Sequence, residues 1–291
     1  MGERYTVPND LEGLRLDAAV ASLDEALSRR EVRRRIQSGG VYLNRKRCRV
    51  ASRKVSPGDR IDVEARQAEP ATALRLDILY RGDNMLAVAK PPGLPLVPTR
   101  RTVTGTLLHA LALQEGITLS TFHPVHRLDA PTSGVCLIAL GPGRAAALSR
   151  AFREGRVSKR YLAWVDPAPA ERSGSWDHSL SAVREGKVRI DPGGRKAETR
   201  FRVERKLHGQ ALLELLPLTG RTHQIRVHCS HAGCPVAGDG RYGSPHRLGN
   251  RILLHARSLE ITRRDDRPLC IEAPLPPDMD PGDSRFPLRR M

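Results

Sequence analysis

The sequence is short of acid, short of cysteine and without a long apolar run. No apolar stretch approaches the ~20 residues a membrane-spanning helix needs. The opening MGERYTVPNDLEG has no apolar signal region, so secretion is not expected. The five cysteines, Cys48, Cys136, Cys229, Cys234 and Cys270, are odd in number and scattered. Such a set argues against a disulfide framework and suits a reducing cytoplasm. His223, His228, Cys229, His231 and Cys234 raise the question of zinc, but no Cys-x-x-Cys pair completes a site, and no metal is expected. GPGR (141–144) lacks the Lys-Ser/Thr of a phosphate loop, so nucleotide hydrolysis is not expected. No internal repeat is visible.

What the chain has in excess is base. Lys and Arg number 49 against 32 Asp and Glu, a formal net charge of +17, and arginine dominates. A surface of that sign attracts and steers phosphate backbones, so a polyanionic partner is expected. The apolar share is ordinary, which excludes global disorder. At 291 residues the chain has room for one large domain, or a large and a small one.

Residues 13–66 read as a small α/β unit. Leu14 to Leu23 is a short apolar segment, and Ser28 to Glu31 is a capping-box pattern that starts a helix. That helix, SRREVRRRIQS, buries Val32 and Ile36 and turns Arg29, Arg30, Arg33 and Arg34 to solvent. Short strands follow, with turns at Arg45-Lys46 and Pro57-Gly58-Asp59. Residues 67–75 read as a linker. From 76 to 273 the elements are mixed: a hairpin around Gly82-Asp83-Asn84, a helix in 105–116, a buried strand 134–140 and a helix 143–155. A strand 160–165, a hairpin around Asp191-Pro-Gly-Gly194, a helix capped by Thr222 and strands at 252–254 and 259–261 complete it. This order favours an α+β fold with a largely antiparallel mixed sheet. Residues 274–291 read as an irregular tail.

One acid stands out. HPVHRLDAPTSG (123–134) sets Asp129 behind an arginine and two histidines and before Ala130-Pro131. It reads as a nucleophile or general base, or as a turn residue bonding nearby backbone. LTGRTHQIRVH (218–228) offers an arginine site on a loop leading into a helix, and an Arg–carboxylate pair would hold Asp129 ionised. Tyr161, in SKRYLAWV, reads as a stacking platform or a core tyrosine. Asp239, in GDGRYG, reads as a turn residue because glycines flank it.

Six blocks in order resemble the RluA-type pseudouridine synthases. VHRLDAPTSGVCLIAL (125–140) is similar to the family's segment around its catalytic aspartate. LAVAKPPGLPL, SKRYLAWV, GRKAETRFRV, GRTHQIRVHCSHAGCPVAGDGRYG and LLHARSLEI resemble the rest. GLRLDAAVAS, SRREVRRRIQSGGVYLN and PGDRIDV resemble an S4 RNA-binding domain. The resemblance implies a cofactor-free isomerisation in which uridine's N1–C1′ bond breaks, the uracil rotates, and C5 joins C1′. It implies that Asp129 either attacks C1′ or removes a proton from C2′, that Arg221 pairs with Asp129, and that Tyr161 stacks on the uracil. Leu253 or Leu254 would wall the pocket, Arg127 would lie near the flipped nucleotide, and Lys90 and Pro91 would be structural. Arg29, Arg30, Arg33 and Arg34 would contact RNA. The nucleotide must leave its stack, at a cost of a few kcal/mol that phosphate contacts offset.

The chain departs from the family where Ala130-Pro131 replaces a frequent charged pair, which bears on target choice. The expected substrate is large-subunit ribosomal RNA, acted on in the cytoplasm by a monomer. The alternatives are a transfer RNA pseudouridine synthase and a non-catalytic RNA-binding or ribosome-assembly factor.

Overall fold

The computed structural model describes residues 3–24, 27–63, 74–97, 105–262 and 267–288. The chain forms two compact units, one built on residues up to Leu74, the other on residues 75–97 and 107–291. Most of the expected linker, 67–73, lies outside the described residues.

The first unit runs β1 (Glu3–Thr6), α1 (Leu16–Leu23), α2 (Arg29–Ser38), β2 (Val41–Leu43), β3 (Lys46–Arg47) and β4 (Arg60–Val63). Its strands make an antiparallel sheet in the order β1-β4-β2-β3. β1 lies outside the stretch 13–66 and has no apolar alternation of its own. It is a strand because it pairs with β4, Tyr5 opposite Ile61. α2 begins directly after Ser28 and buries Val32 and Ile36 against Leu16, Ala19 and Val20 of α1 and Ile61 and Val63 of β4. The β2–β3 turn falls on Asn44-Arg45, one residue earlier than expected. Both have positive φ, 51° and 65°, the two-residue hairpin geometry that asparagine tolerates.

The second unit contains β5 (Ile78–Gly82), β6 (Met85–Lys90), α3 (Leu107–Glu115), β7 (Phe122–Pro124), β8 (Ser133–Leu140), α4 (Pro142–Arg153) and β9 (Ser158–Val165). β10 (Ser173–Asp177), β11 (Glu198–Leu207), β12 (Gln210–Pro217), α5 (Gln224–His231), β13 (Leu254–Thr262) and β14 (Pro268–Glu272) follow. The strands form one sheet, ordered β10-β11-β12-β9-β13-β8-β6-β5, with β14 on β13 and β7 on β8. Among the described strands only the β13–β8 pairing is parallel. This is the α+β, largely antiparallel mixed sheet.

β8 is buried along almost its whole length because both faces are covered. Cys136 and Ile138 pack toward Leu107, Leu108 and Leu111 of α3. Val135, Leu137 and Ala139 pack toward Leu148 of α4. Where β8 meets β13, Gly134 opposes Ala256 at φ +115°, and a Cβ there would lie 2.2 Å from the Ala256 carbonyl oxygen. Only glycine admits this approach, which brings the loop carrying Asp129 beside β13.

Three sequence expectations are corrected. The expected hairpin around 191–194 is a turn, closed by Gly194 N–H donating to Asp191 O, whose flanks do not pair with each other, and the long hairpin β11–β12 turns at His208-Gly209. The turn at 191–194 belongs to an excursion in which Ile190 and Arg195 both bridge Leu180. The two late strands are one, β13, whose alternation is broken by an irregularity between Ala256 and Ser258. Residues 274–288 have only a 3-10 turn at Pro277–Met279, but they belong to the core: Phe286 and Leu288 are buried beside Trp164, whose indole N–H donates to Met279 O at 2.9 Å.

Candidate active site

The Asp129 turn is anchored from behind. Its backbone closes with Thr132 N–H donating to Asp129 O. Ala130 O then accepts from Gly93 N and from the ammonium of Lys90, which also donates to Pro91 O and Leu94 O. Lys90 is fully buried, and burial lowers its pKa to about 8. The segment 90–94 thus holds the chain immediately after Asp129 with strong bonds to backbone oxygens.

The opposite wall is the start of α5. Gln224 fixes it: the side-chain amide donates to Glu198 O and Thr199 Oγ1, and its oxygen accepts from Thr219 Oγ1 and Arg221 N. The cap is His223, not Thr222. His223 sits in the left-handed region at φ 56°, uncommon for a residue with a side chain. Its Nε2 lies 3.7 Å from Asp129 Oδ2, and its Nδ1 is 2.7 Å from the Tyr242 hydroxyl. Burial holds the imidazole below its ordinary pKa.

The pairing expected for Arg221 falls to Arg226. Arg226 Nη1 donates to Asp129 Oδ2 at 2.8 Å. Arg221 sits on the loop before the helix, where its Nε donates to Lys196 O. The physical reason is depth. Arg226 is 5% exposed on α5, and a guanidinium that deep must find carboxylates. Burial disfavours its charge, yet Asp239 and Asp129 together raise its pKa. The available signal was an arginine between the apolar Ile225 and Val227 in a short helix. Asp239, read as a turn residue, is itself buried and pairs with Arg226.

These groups border a cavity of about 650 Å³, lined by Arg127, Asp129, Tyr161, Arg221, His223, Arg226 and Leu254 among others. That volume suits a small organic group such as a nucleoside. Tyr161 reaches it from β9, and burial together with the Asp129 charge pushes its phenol pKa up. Leu254 is on the wall and Leu253 is not. Neighbours in extended chain point to opposite faces, and Leu253 packs with Trp164 and Phe286 instead. Arg127 is exposed at the site, and Lys159 donates to Thr219 O with its pKa lowered to about 8 by burial and Arg221. Arg29 and Arg33 belong to the first unit, exposed and paired to Asp17; the side chains of Arg30 and Arg34 lie outside the described residues.

Among the described residues no group of three or more His, Cys, Asp or Glu is placed to hold a metal ion. His228, one of the residues considered for zinc, is within hydrogen-bond distance of Thr199 Oγ1 and His178 O. No described helix is long and apolar enough to cross a membrane. Chemically, the cavity offers a carboxylate gripped through one oxygen, a tyrosine beside it and a basic rim.

Comparison with known proteins agrees with this chemistry. A family model described as RNA pseudouridylate synthase matches residues 84–231, and an S4 domain model matches residues 14–61. The ribosomal large subunit pseudouridine synthase D of Nitrosomonas europaea is 35% identical, over 94% of this chain and 85% of its own length. The ribosomal large subunit pseudouridine synthase C of Vibrio vulnificus is 30% identical, over 92% of this chain and 91% of its own. The solved structure of human RNA pseudouridylate synthase domain containing 1 superposes with a TM-score of 0.61 at 30% identity, covering 73% of this chain and 89% of that one. With the cavity's Asp129 and Arg226 inside the matched region and relatives aligned over nearly its full length, this chain belongs to the RNA pseudouridylate synthases, isomerases that act on uridines in RNA.

Proposed function

We propose that the chain isomerises uridines of large-subunit ribosomal RNA, with Asp129 as the reacting carboxylate. The observation that carries this reading is the 2.8 Å contact from the buried Arg226 to Asp129 Oδ2 inside the cavity. It aims the carboxylate, while Oδ1 accepts no hydrogen bond among the described residues. A carboxylate oxygen with its lone pairs free suits attack at a sugar carbon or removal of a ribose proton. Tyr161 supplies a face for the uracil, Leu254 an apolar wall, and Arg127 a cation near the gap left by the flipped nucleotide. Arg221 contributes charge to the rim. The helix α2, with Arg29, Arg30, Arg33 and Arg34, meets RNA phosphates. The ribosomal target is supported by the relatives from Nitrosomonas europaea and Vibrio vulnificus, both ribosomal large subunit pseudouridine synthases, which align over most of this chain. The same reading has the protein act in the cytoplasm, as a monomer, without metal or cofactor.

The test is pseudouridine mapping by carbodiimide and primer extension on RNA from cells with and without the gene. A large-subunit site that vanishes in the deletion and returns with wild type but not with Asp129→Asn is the expected result. A site in transfer RNA instead overturns the ribosomal assignment. No altered site anywhere favours the non-catalytic factor.

A further inference from the structure

Arg226 is held so that only one direction is left to it. Its Nε and Nη2 donate to Asp239 Oδ2 and Oδ1 at 2.6 and 2.9 Å, a two-toothed pair. The Tyr242 ring covers the guanidinium face, 5.0 Å from its centre. Tyr242 is fixed in turn by Val188 N–H, which donates to its hydroxyl, and by His223. Asp239 is 2% exposed, on a turn where the backbone N–H groups of Tyr242 and Ser244 both donate to its carbonyl. Gly238 brings that turn close to the chain at Arg251, where a Cβ would lie 2.5 Å from the carbonyl oxygen. Asp239 therefore has no room to swing. Only Nη1 of Arg226 faces Asp129.

An arginine with its fork free takes a carboxylate through both oxygens. On Asp129 that grip would engage Oδ1 as well as Oδ2. We propose that Asp239 is a positioning residue of the isomerisation: by occupying the fork of Arg226, it limits the grip on Asp129 to one oxygen and leaves Oδ1 free to react with the ribose. The proposal rests on Asp129 being the reacting carboxylate. Asp239 lies beyond the stretch 84–231 matched by the family model. A merely structural Asp239, neutralising a buried cation, would affect folding stability but not the chemical step specifically.

The experiment uses the full chain and total RNA from gene-deleted cells grown on uridine tritiated at C5, since the new C5–C1′ bond releases that tritium. Single-turnover release is measured beside RNA retention on filters. Asp239→Asn is expected to slow release about 100-fold with RNA binding within about 2-fold of wild type. Asp239→Glu is expected to recover most of the rate. In an Arg226→Lys background, which has no fork to occupy, Asp239→Asn is expected to cost less than about 3-fold further. Release by Asp239→Asn within about 3-fold of wild type overturns the proposal, as does an equal loss in both backgrounds. Should Asp239→Asn not fold, Asp239→Ser, which also vacates the fork, carries the same cycle, and equal losses beside Arg226 and beside lysine overturn the proposal. Asp129→Asn separates the two readings. If it releases tritium at the wild-type rate, both fall; if it is inactive while Asp239→Asn is fully active, only the positioning role falls.

Discussion

The two units solve the burial of charge with opposite ratios. In the first, one fully buried carboxylate, Asp17, gathers Arg15, Arg29 and Arg33, whose side chains are 44%, 50% and 50% exposed. Burial alone would raise the Asp17 pKa, but the three guanidiniums outweigh it and the net shift is down. In the second, one buried guanidinium, Arg226, is shared by two carboxylates, Asp129 and Asp239. The first arrangement leaves a surplus of cation facing water, organised by an acid that solvent does not reach. That is suited to holding phosphates. The second leaves a surplus of anion inside a cavity, with one oxygen unbonded. That is suited to chemistry. On the function proposed above, the same two residue types, in inverse proportion, separate holding RNA from acting on it.

The contrast is broken most severely at Asp129. Asp129→Asn is expected to lower turnover about 10⁴-fold or more while RNA binding stays near wild type. Tritium release and filter retention measure the two. Arg226→Ala comes next, because it strands Asp239 as a buried unpaired charge. A loss of about 3–5 kcal/mol in stability is expected, read by chemical denaturation of the full chain.

pH separates the units without mutation. The first histidine of the chain is His109, so the first unit has none. In the second, burial lowers His126 and His255 to a pKa of about 4. Unfolded histidines titrate near 6.5, so between those values the unfolded chain binds more protons than the folded one. Stability from these groups is therefore complete above about pH 6.5 and declines as pH falls toward 4, by on the order of 2 kcal/mol per histidine at pH 5. Asp17 behaves differently. Its folded pKa is depressed, so its contribution holds above the unfolded carboxylate value and fades only below it. Calorimetry at pH 7 and pH 5 should show the transition of the second unit moving down with that of the first almost unmoved. Arg29→Gln with Arg33→Gln is the mildest change. It should flatten the plot of log affinity against log salt by about one unit per arginine, with single-turnover chemistry on saturating RNA unchanged.

Much of this was legible in the chain because the signals were local. The β5–β6 hairpin follows from Asp83-Asn84, both at positive φ between apolar runs. α2 follows from the spacing of Val32 and Ile36 and from Ser28 before it. β8 follows from its unbroken apolar run. β1 and β10 were not legible, since ERYT and SGSWD have no apolar alternation and are strands only through their partners. The arginine paired to Asp129 was misread because Arg221 and Arg226 share one basic motif. Their difference is depth, set by how Gln224 seats α5 on β11.

The sequence by itself determined the family resemblance, the polyanionic partner class, the candidate acid and the α+β order, all of which reside in local pattern and composition. Tertiary structure alone decided which arginine meets Asp129 across 97 residues of chain, and which of two adjacent leucines enters the cavity. It also decided that a turn aspartate between glycines is a buried counter-ion. Each depends on the side a residue faces and the depth at which it comes to rest. Those are fixed when β8 closes on β13 and α5 docks on its strands, because only then does burial make an unpaired charge too costly to leave alone.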